Sequence, residues 1–246
     1  MEKLDIVYVL KKDVEPNELI YSLRSVEANM PHARVIFVGG KPDGIEPDVY
    51  IPHEQKGVSN WEKSTSSIEY IARRKEVSDN FWLFNDDFFV MKPIDELKPI
   101  YNGTLYRRVQ AIEQKRKGMT SLYSNALRAT KELLDSERLH SYNYAVHMPM
   151  LINKAKALEV IRKYPKCKMF RSLYGNYHRV GGINRPDCKI VNLDTEPSKD
   201  AIFLSTSETS FAKGKVGEFI RSKFTKPSRF EANSSIKLAD AEAIES

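Results

Sequence analysis

Three short, unbroken apolar runs constrain this chain more than any other feature: Asp5-Ile-Val-Tyr-Val-Leu10, Arg34-Val-Ile-Phe-Val38 and Phe81-Trp-Leu-Phe84. None alternates apolar with polar residues, so each reads as a strand covered on both faces, as in a parallel sheet with helices on either side. The segments between them agree. After Pro16 the apolar positions Leu19, Ile20, Leu23 and Val26 fall at helical spacing and stop before Pro31, which predicts a helix crossing from the first strand to the second. Asp48-Val-Tyr-Ile51 is a short third strand after a Pro/Gly-rich connection. Asn60 is placed to cap a helix through Arg74, with Trp61, Ser64, Ile68 and Ile71 on one stripe. The reading is an α/β fold, a mostly parallel sheet flanked by helices.

From Tyr101 to Ser141 the chain is polar and basic, with one expected helix from Ser121 to Arg138; this segment reads as a helical insertion or lid. Asn153 to Tyr164 predicts a further helix, capped by Asn153, buried through Ala157, Leu158 and Ile161, and closed by Pro165. Gly181-Gly182 marks a turn, Asp187 to Leu193 a late strand, and Lys215 to Phe224 a final helix before Pro227. With no internal repeat and no Ser/Gly-rich linker, residues 1–231 read as one domain with an insertion at 101–141, followed by a flexible tail at 232–246. No apolar run approaches the ~18 residues needed to cross a bilayer. The first strand begins too near Met1 for a signal peptide, so a cytoplasmic protein is expected. Cys167 and Cys188 form no CxxC pair, which argues against a disulfide framework or structural zinc.

Ligands of open parallel sheets collect beyond the carboxyl ends of the strands, and there Asn85-Asp86-Asp87 follows the third apolar run. Two carboxylates and an amide oxygen are hard ligands suited to Mg²⁺ or Mn²⁺ that leave coordination sites open for a diphosphate. The structural alternative is a turn whose Asn and Asp bond nearby backbone amides. Asp5 opens the first strand and Asp13 follows it. His147, beside Pro149, has the chemistry of a general base or of a nucleophile toward phosphorus, and Arg171 has the fork geometry that suits phosphate. No GxGxxG, Walker A, HExxH or GxSxG motif is present.

Lys and Arg number 39 against 33 Asp and Glu, a net +6, and 232–246 is locally acidic, so the rest of the chain carries +8. That surplus suits an anionic substrate such as a sugar nucleotide, a phosphorylated polymer or nucleic acid. The basic runs at Arg73-Arg74-Lys75, Arg107-Arg108 and Lys115-Arg116-Lys117 lack aromatic interleaving and read as solvated faces.

Four stretches in order resemble the Stealth family, hexose-1-phosphate transferases of bacterial capsule synthesis. They are Asp5-Ile-Val-Tyr-Val9; Glu18 to Val26 through Arg34 to Val38, ending in Phe84-Asn-Asp-Asp-Phe-Phe89 and Lys92-Pro93; His147-Met-Pro149 with Phe170-Arg-Ser172; and Phe203-Leu-Ser-Thr-Ser-Glu208 with Lys226-Pro-Ser-Arg-Phe-Glu231. The resemblance implies a GT-A-like or Rossmann-like domain, a short bacterial or phage member of the family, acting in the cytoplasm of the bacterium or infected cell. It assigns Asp5 and Glu208 as catalytic acids, His147 as the catalytic histidine, Arg171 and Asn85 to substrate or phosphate, and Asp86 and Asp87 to Mg²⁺ or Mn²⁺. It departs from the family after the first strand, where Leu10-Lys-Lys-Asp13 replaces Trp-Val-(Asp/Asn)-Gly, and in the fourth block, where Glu208 alone stands for two acids. The expected activity is transfer of a sugar-1-phosphate from a nucleotide-sugar donor to a glycan or other hydroxyl acceptor. The alternatives are transfer of the sugar itself, to a cell-wall polymer or to hydroxymethylated bases of phage DNA, and a non-catalytic carbohydrate-binding relative.

Overall fold

A computed structural model describes residues 3–166 and 169–231; Cys167 and the expected tail from 232 lie outside the described residues. The chain opens with β1 (Asp5–Leu10), α1 (Pro16–Asn29), β2 (Val35–Gly39), β3 (Val49–Pro52), α2 (Asn60–Ala72) and β4 (Asn80–Phe84). It continues through β5 (Phe88–Val90), β6 (Ile100–Tyr101), α3 (Leu105–Lys115), α4 (Leu122–Ser136), β7 (Met150–Asn153), α5 (Lys154–Lys163) and α6 (Phe170–Tyr177). β8 (Ile183–Asn184), β9 (Lys189–Ile190), β10 (Phe203–Thr206), α7 (Glu208–Lys213) and α8 (Lys215–Lys223) complete it.

The central sheet runs β3-β2-β1-β4-β7, parallel except for β7, which pairs antiparallel with β4. Successive side chains of a strand point to opposite faces, and here both faces are apolar. Ile6, Tyr8, Leu10, Phe37, Trp82 and Phe84 pack toward α1 and α8; Val7, Ile36, Val38, Phe81 and Leu83 pack toward α2, α5 and α6. Each fully buried aliphatic or aromatic side chain contributes about 1.5–3 kcal/mol. This two-sided burial is why the runs do not alternate, and it bears out the expected fold class.

Three details differ from the sequence expectation. Ser59, one residue before Asn60, caps α2, its hydroxyl accepting from the Glu62 amide while the Glu62 carboxylate accepts from the Ser59 amide. The 101–141 insertion holds two helices, α3 and α4, capped by Thr104 and Ser121. Their Leu105, Val109, Leu127 and Leu134 pack with Val160 of α5 and Leu173 of α6. The late strand shrinks to Lys189–Ile190, which joins β10 and β5 in a second sheet ordered β5-β10-β9. β6 and β8 make a small third sheet.

Serines of α1 hold β5 in place directly after the 85–87 turn. Ser22 Oγ donates to the Phe88 carbonyl at 2.5 Å, so its proton is committed and Tyr8 donates to Ser22 at 2.8 Å. Ser25 Oγ accepts from the Val90 amide at 2.9 Å, and Asn29 donates to the Val90 carbonyl at 2.7 Å. No helix among the described residues is long and apolar enough to cross a membrane.

Candidate active site

Because β1 to β4 are parallel, the segments following them emerge along one edge, and there the surface is hollowed. A cleft of about 640 Å³ is lined by the acidic and amide groups Glu18, Asn85, Asp86, Asp87 and Glu208 and by the lysines Lys11, Lys63 and Lys189. A second hollow of about 670 Å³, at the ends of β1 to β3, shares Lys11, Gln55 and Lys63 with the first and adds Lys12, Asp13, Tyr50 and His53. Gly39 makes the approach of β1 and β2 at this edge feasible: its φ is +114°, and a Cβ there would lie 2.0 Å from the Leu10 carbonyl oxygen.

The structure thus brings together four of the expected site residues, Asn85, Asp86, Asp87 and Glu208. Asp87 is nine-tenths buried; its Oδ2 accepts from Lys189 Nζ at 2.9 Å and Ser205 Oγ at 3.1 Å. Its Oδ1 is buried with no hydrogen-bond partner among the described residues. A buried acceptor left unpaired costs about 1–3 kcal/mol, more when charged, so this oxygen keeps its capacity to accept a donor or a cation. Burial, with the Asp87 charge beside it, pushes Asp86 above the ordinary carboxylate range.

Glu18, in the first turn of α1, belongs to the same acidic wall and escaped the sequence reading as a site acid. Burial, opposed by a 2.5 Å hydrogen bond from Thr206 and reinforced by the charges of Asp87 and Asp86, raises it to about 7. The signal available in the sequence was its place in the helix that follows β1, since the start of that helix must lie at the same sheet edge.

Two assignments are corrected. Asp5 lies at the amino end of β1, opposite the cleft, and is fully buried. Its carboxylate accepts from Arg34 Nε at 3.0 Å and Nη2 at 2.7 Å, and from the Ser78 amide at 3.0 Å and hydroxyl at 2.7 Å. Burial would raise its pKa, but these partners outweigh it and hold it below the ordinary value. The structure places Asp5 as a fastening of the sheet, away from the cleft that holds Asp86 and Asp87. Arg171, expected to bind phosphate, instead donates from Nη1 to the carbonyls of Val146 at 2.8 Å and Met148 at 2.7 Å, with Nη2 3.5 Å from the Leu83 carbonyl. Its guanidinium lies over the Phe88 ring, and burial lowers its pKa to about 10, so it stays cationic. Arg171 clamps the backbone on either side of His147.

His147 is outside the acidic cleft but tied to it. Its Nδ1 is 2.8 Å from Asp187 Oδ2, its amide donates to Asp187 Oδ1 at 3.0 Å, and Lys189, two residues on from Asp187, bonds Asp87. The 187–189 segment thus links the histidine to the acidic wall through two side-chain contacts. Asp187 was absent from the expected set.

No protein-family model matches the chain, and no curated protein matches it, so the four-block resemblance stands on its quoted residues alone. Solved structures similar to it include two of LgtC. An active-site mutant of LgtC aligns with a TM-score of 0.45 and 11% identity, over 92% of this chain and 98% of that one. The galactosyltransferase LgtC in complex with donor and acceptor sugar analogues aligns with a TM-score of 0.37 and 13% identity, over 70% of this chain and 68% of that one. The chemistry of the present site rests on its own residues.

Proposed function

We propose that the protein is a transferase of GT-A-like character that takes a nucleotide-activated sugar as donor, with the donor's diphosphate along the carboxyl edge of the sheet. The observation that carries this reading is the orphaned, buried Oδ1 of Asp87 in an acidic cleft that Lys11, Lys63 and Lys189 also line. Among the described residues no three His, Cys, Asp or Glu side chains converge on one cation. Asp86 and Asp87 still fit Mg²⁺ or Mn²⁺, because Mg²⁺ is commonly held by one or two carboxylates with substrate phosphates completing the shell. Such an ion, when bound, would neutralise charge on the departing nucleotide. The chain's own lysines attract and orient the phosphates, and Ser205 and Lys189 fix Asp87 in place.

The group transferred is, on this reading, the sugar itself, to a hydroxyl of a glycan or other polymer. Two residues assigned to sugar-phosphate chemistry, Asp5 and Arg171, are taken up by the sheet and by backbone carbonyls, and glycosyl transfer needs neither. Transfer of the sugar-1-phosphate is the second reading, favoured by the ring of His147, which is a third exposed and competent as a nucleophile toward phosphorus. A panel of UDP- and GDP-sugars with Mg²⁺ or Mn²⁺ separates them by product. A nucleoside diphosphate supports glycosyl transfer, and a nucleoside monophosphate supports sugar-phosphate transfer. Neither product, with no thermal shift from any donor, overturns both in favour of a non-catalytic module. A DNA acceptor would add binding that weakens steeply with salt.

A further inference from the structure

His147 is gripped at two points by one carboxylate: Asp187 Oδ1 takes its backbone N–H at 3.0 Å and Oδ2 lies 2.8 Å from ring Nδ1. Its carbonyl accepts from Cys188 Sγ at 2.9 Å, and Arg171 bonds the carbonyls of both neighbours, Val146 and Met148. Burial pushes Asp187 up, but the His147 bonds and the charge of Arg108 outweigh it, so the carboxyl stays ionised. An ionised carboxylate accepts hydrogen bonds and donates none, so Nδ1 carries the proton and the neutral ring keeps its lone pair on Nε2. The ring is about a third exposed, and Nε2 has no hydrogen-bond partner among the described residues.

We propose that Asp187 is a positioning residue that fixes His147 in the Nδ1–H tautomer, making Nε2 the proton acceptor for the hydroxyl that receives the sugar. This rests on the transfer reading above and names its base. In the step, the acceptor O–H proton passes to Nε2 as the acceptor oxygen bonds the anomeric carbon. The bond from that carbon to the donor phosphate oxygen breaks, and its electron pair leaves with the nucleoside diphosphate. The resulting imidazolium faces the Asp187 carboxylate, which offsets its charge.

The test uses the whole chain with ¹⁵N-labelled histidine, in alkaline buffer, the His147 ring signal being assigned by its loss in His147→Gln. Nδ1 is expected to be protonated in the wild type. In Asp187→Asn the amide oxygen can stay on the His147 N–H only by turning its NH₂ toward Nδ1, so the proton is expected to move to Nε2. The kcat for transfer should then fall by ~10²-fold or more with donor KM unchanged. An Nε2–H tautomer in the wild type overturns the proposal, and it does so even if the variant fails to fold. An Asp187→Asn protein that keeps its rate overturns it as well. Absence of transfer by the wild type from every donor overturns the transfer reading and the base role with it, while the tautomer reports on the positioning alone.

Discussion

Asp5, at the amino end of β1, and Asp87, beyond the carboxyl end of β4, are 0% and 9% exposed, yet the two ends of the sheet treat them oppositely. Asp5 is completed by Arg34 and Ser78 on both oxygens. Asp87 is completed on Oδ2 alone, beside an Asp86 and a Glu18 whose pKa values burial has raised. Burying a carboxylate is costly at either end. One end offsets the cost with a full set of donors, while the other leaves one buried oxygen without a donor among the described residues. The same residue type at the end of an apolar strand is therefore fully partnered in one place and, on the proposed reading, a binding group in the other, and what separates them is the unmet hydrogen-bonding capacity.

The strongest way to break that comparison is to exchange carboxylate for amide at each end. Asp86→Asn and Asp87→Asn are expected to lower turnover of a nucleotide-sugar donor by ~10²-fold or more, with little change in melting temperature. Asp5→Asn should do the reverse, costing about 2–3 kcal/mol of stability while the folded protein keeps its rate. Urea denaturation and donor turnover on the same samples decide it; a folded but inactive Asp5→Asn would return Asp5 to the chemistry.

A smaller effect separates clamp from phosphate ligand at Arg171. Arg171→Lys loses the fork that spans the Val146 and Met148 carbonyls, at a cost of about 1–3 kcal/mol. The loop bearing His147 then loosens, so kcat is expected to fall while donor KM holds. A rise in donor KM with kcat unchanged would instead place the guanidinium on phosphate.

The strands β1 to β4 and the helices α1, α2, α5 and α8 were legible because their signals are local: unbroken apolar runs, helical spacing, and Pro at the ends. α3 was not, since Arg107, Arg108 and Lys115 mask the sparse stripe of Leu105, Val109 and Ile112. β5 and β10, three and four residues long, are defined by pairing with each other across the chain. In the site, Asn85-Asp86-Asp87 could be read from its place after a buried strand. Glu18 offered only its place at the start of the helix after β1, its contact with Thr206 lying 188 residues away, and Asp187 offered nothing, because what marks it is contact with His147, 40 residues away. Asp5 opens its strand in the same way whether it meets a ligand or Arg34, so local sequence could not separate the two.

The finest test is the pH dependence of stability, where the two ends carry opposite signs. Asp5 has a lowered pKa in the folded protein, so its contribution is present above the unfolded value near ~3.9 and lost as pH falls through the lower folded value. Glu18 is raised to about 7. Its folded state binds the proton more tightly than the unfolded chain does, so its contribution is intact below the unfolded value near ~4.3 and lost as pH rises through the folded one. Denaturation midpoints measured from acid to mild alkali should therefore show Asp5→Asn removing part of the acid-side loss. Glu18→Gln, which cannot ionise beside Asp86 and Asp87, should remove part of the loss toward neutrality. If Glu18→Gln leaves the neutral side unchanged, the carboxyl edge holds no such proton, and the contrast between the two ends narrows to the single unpaired oxygen of Asp87.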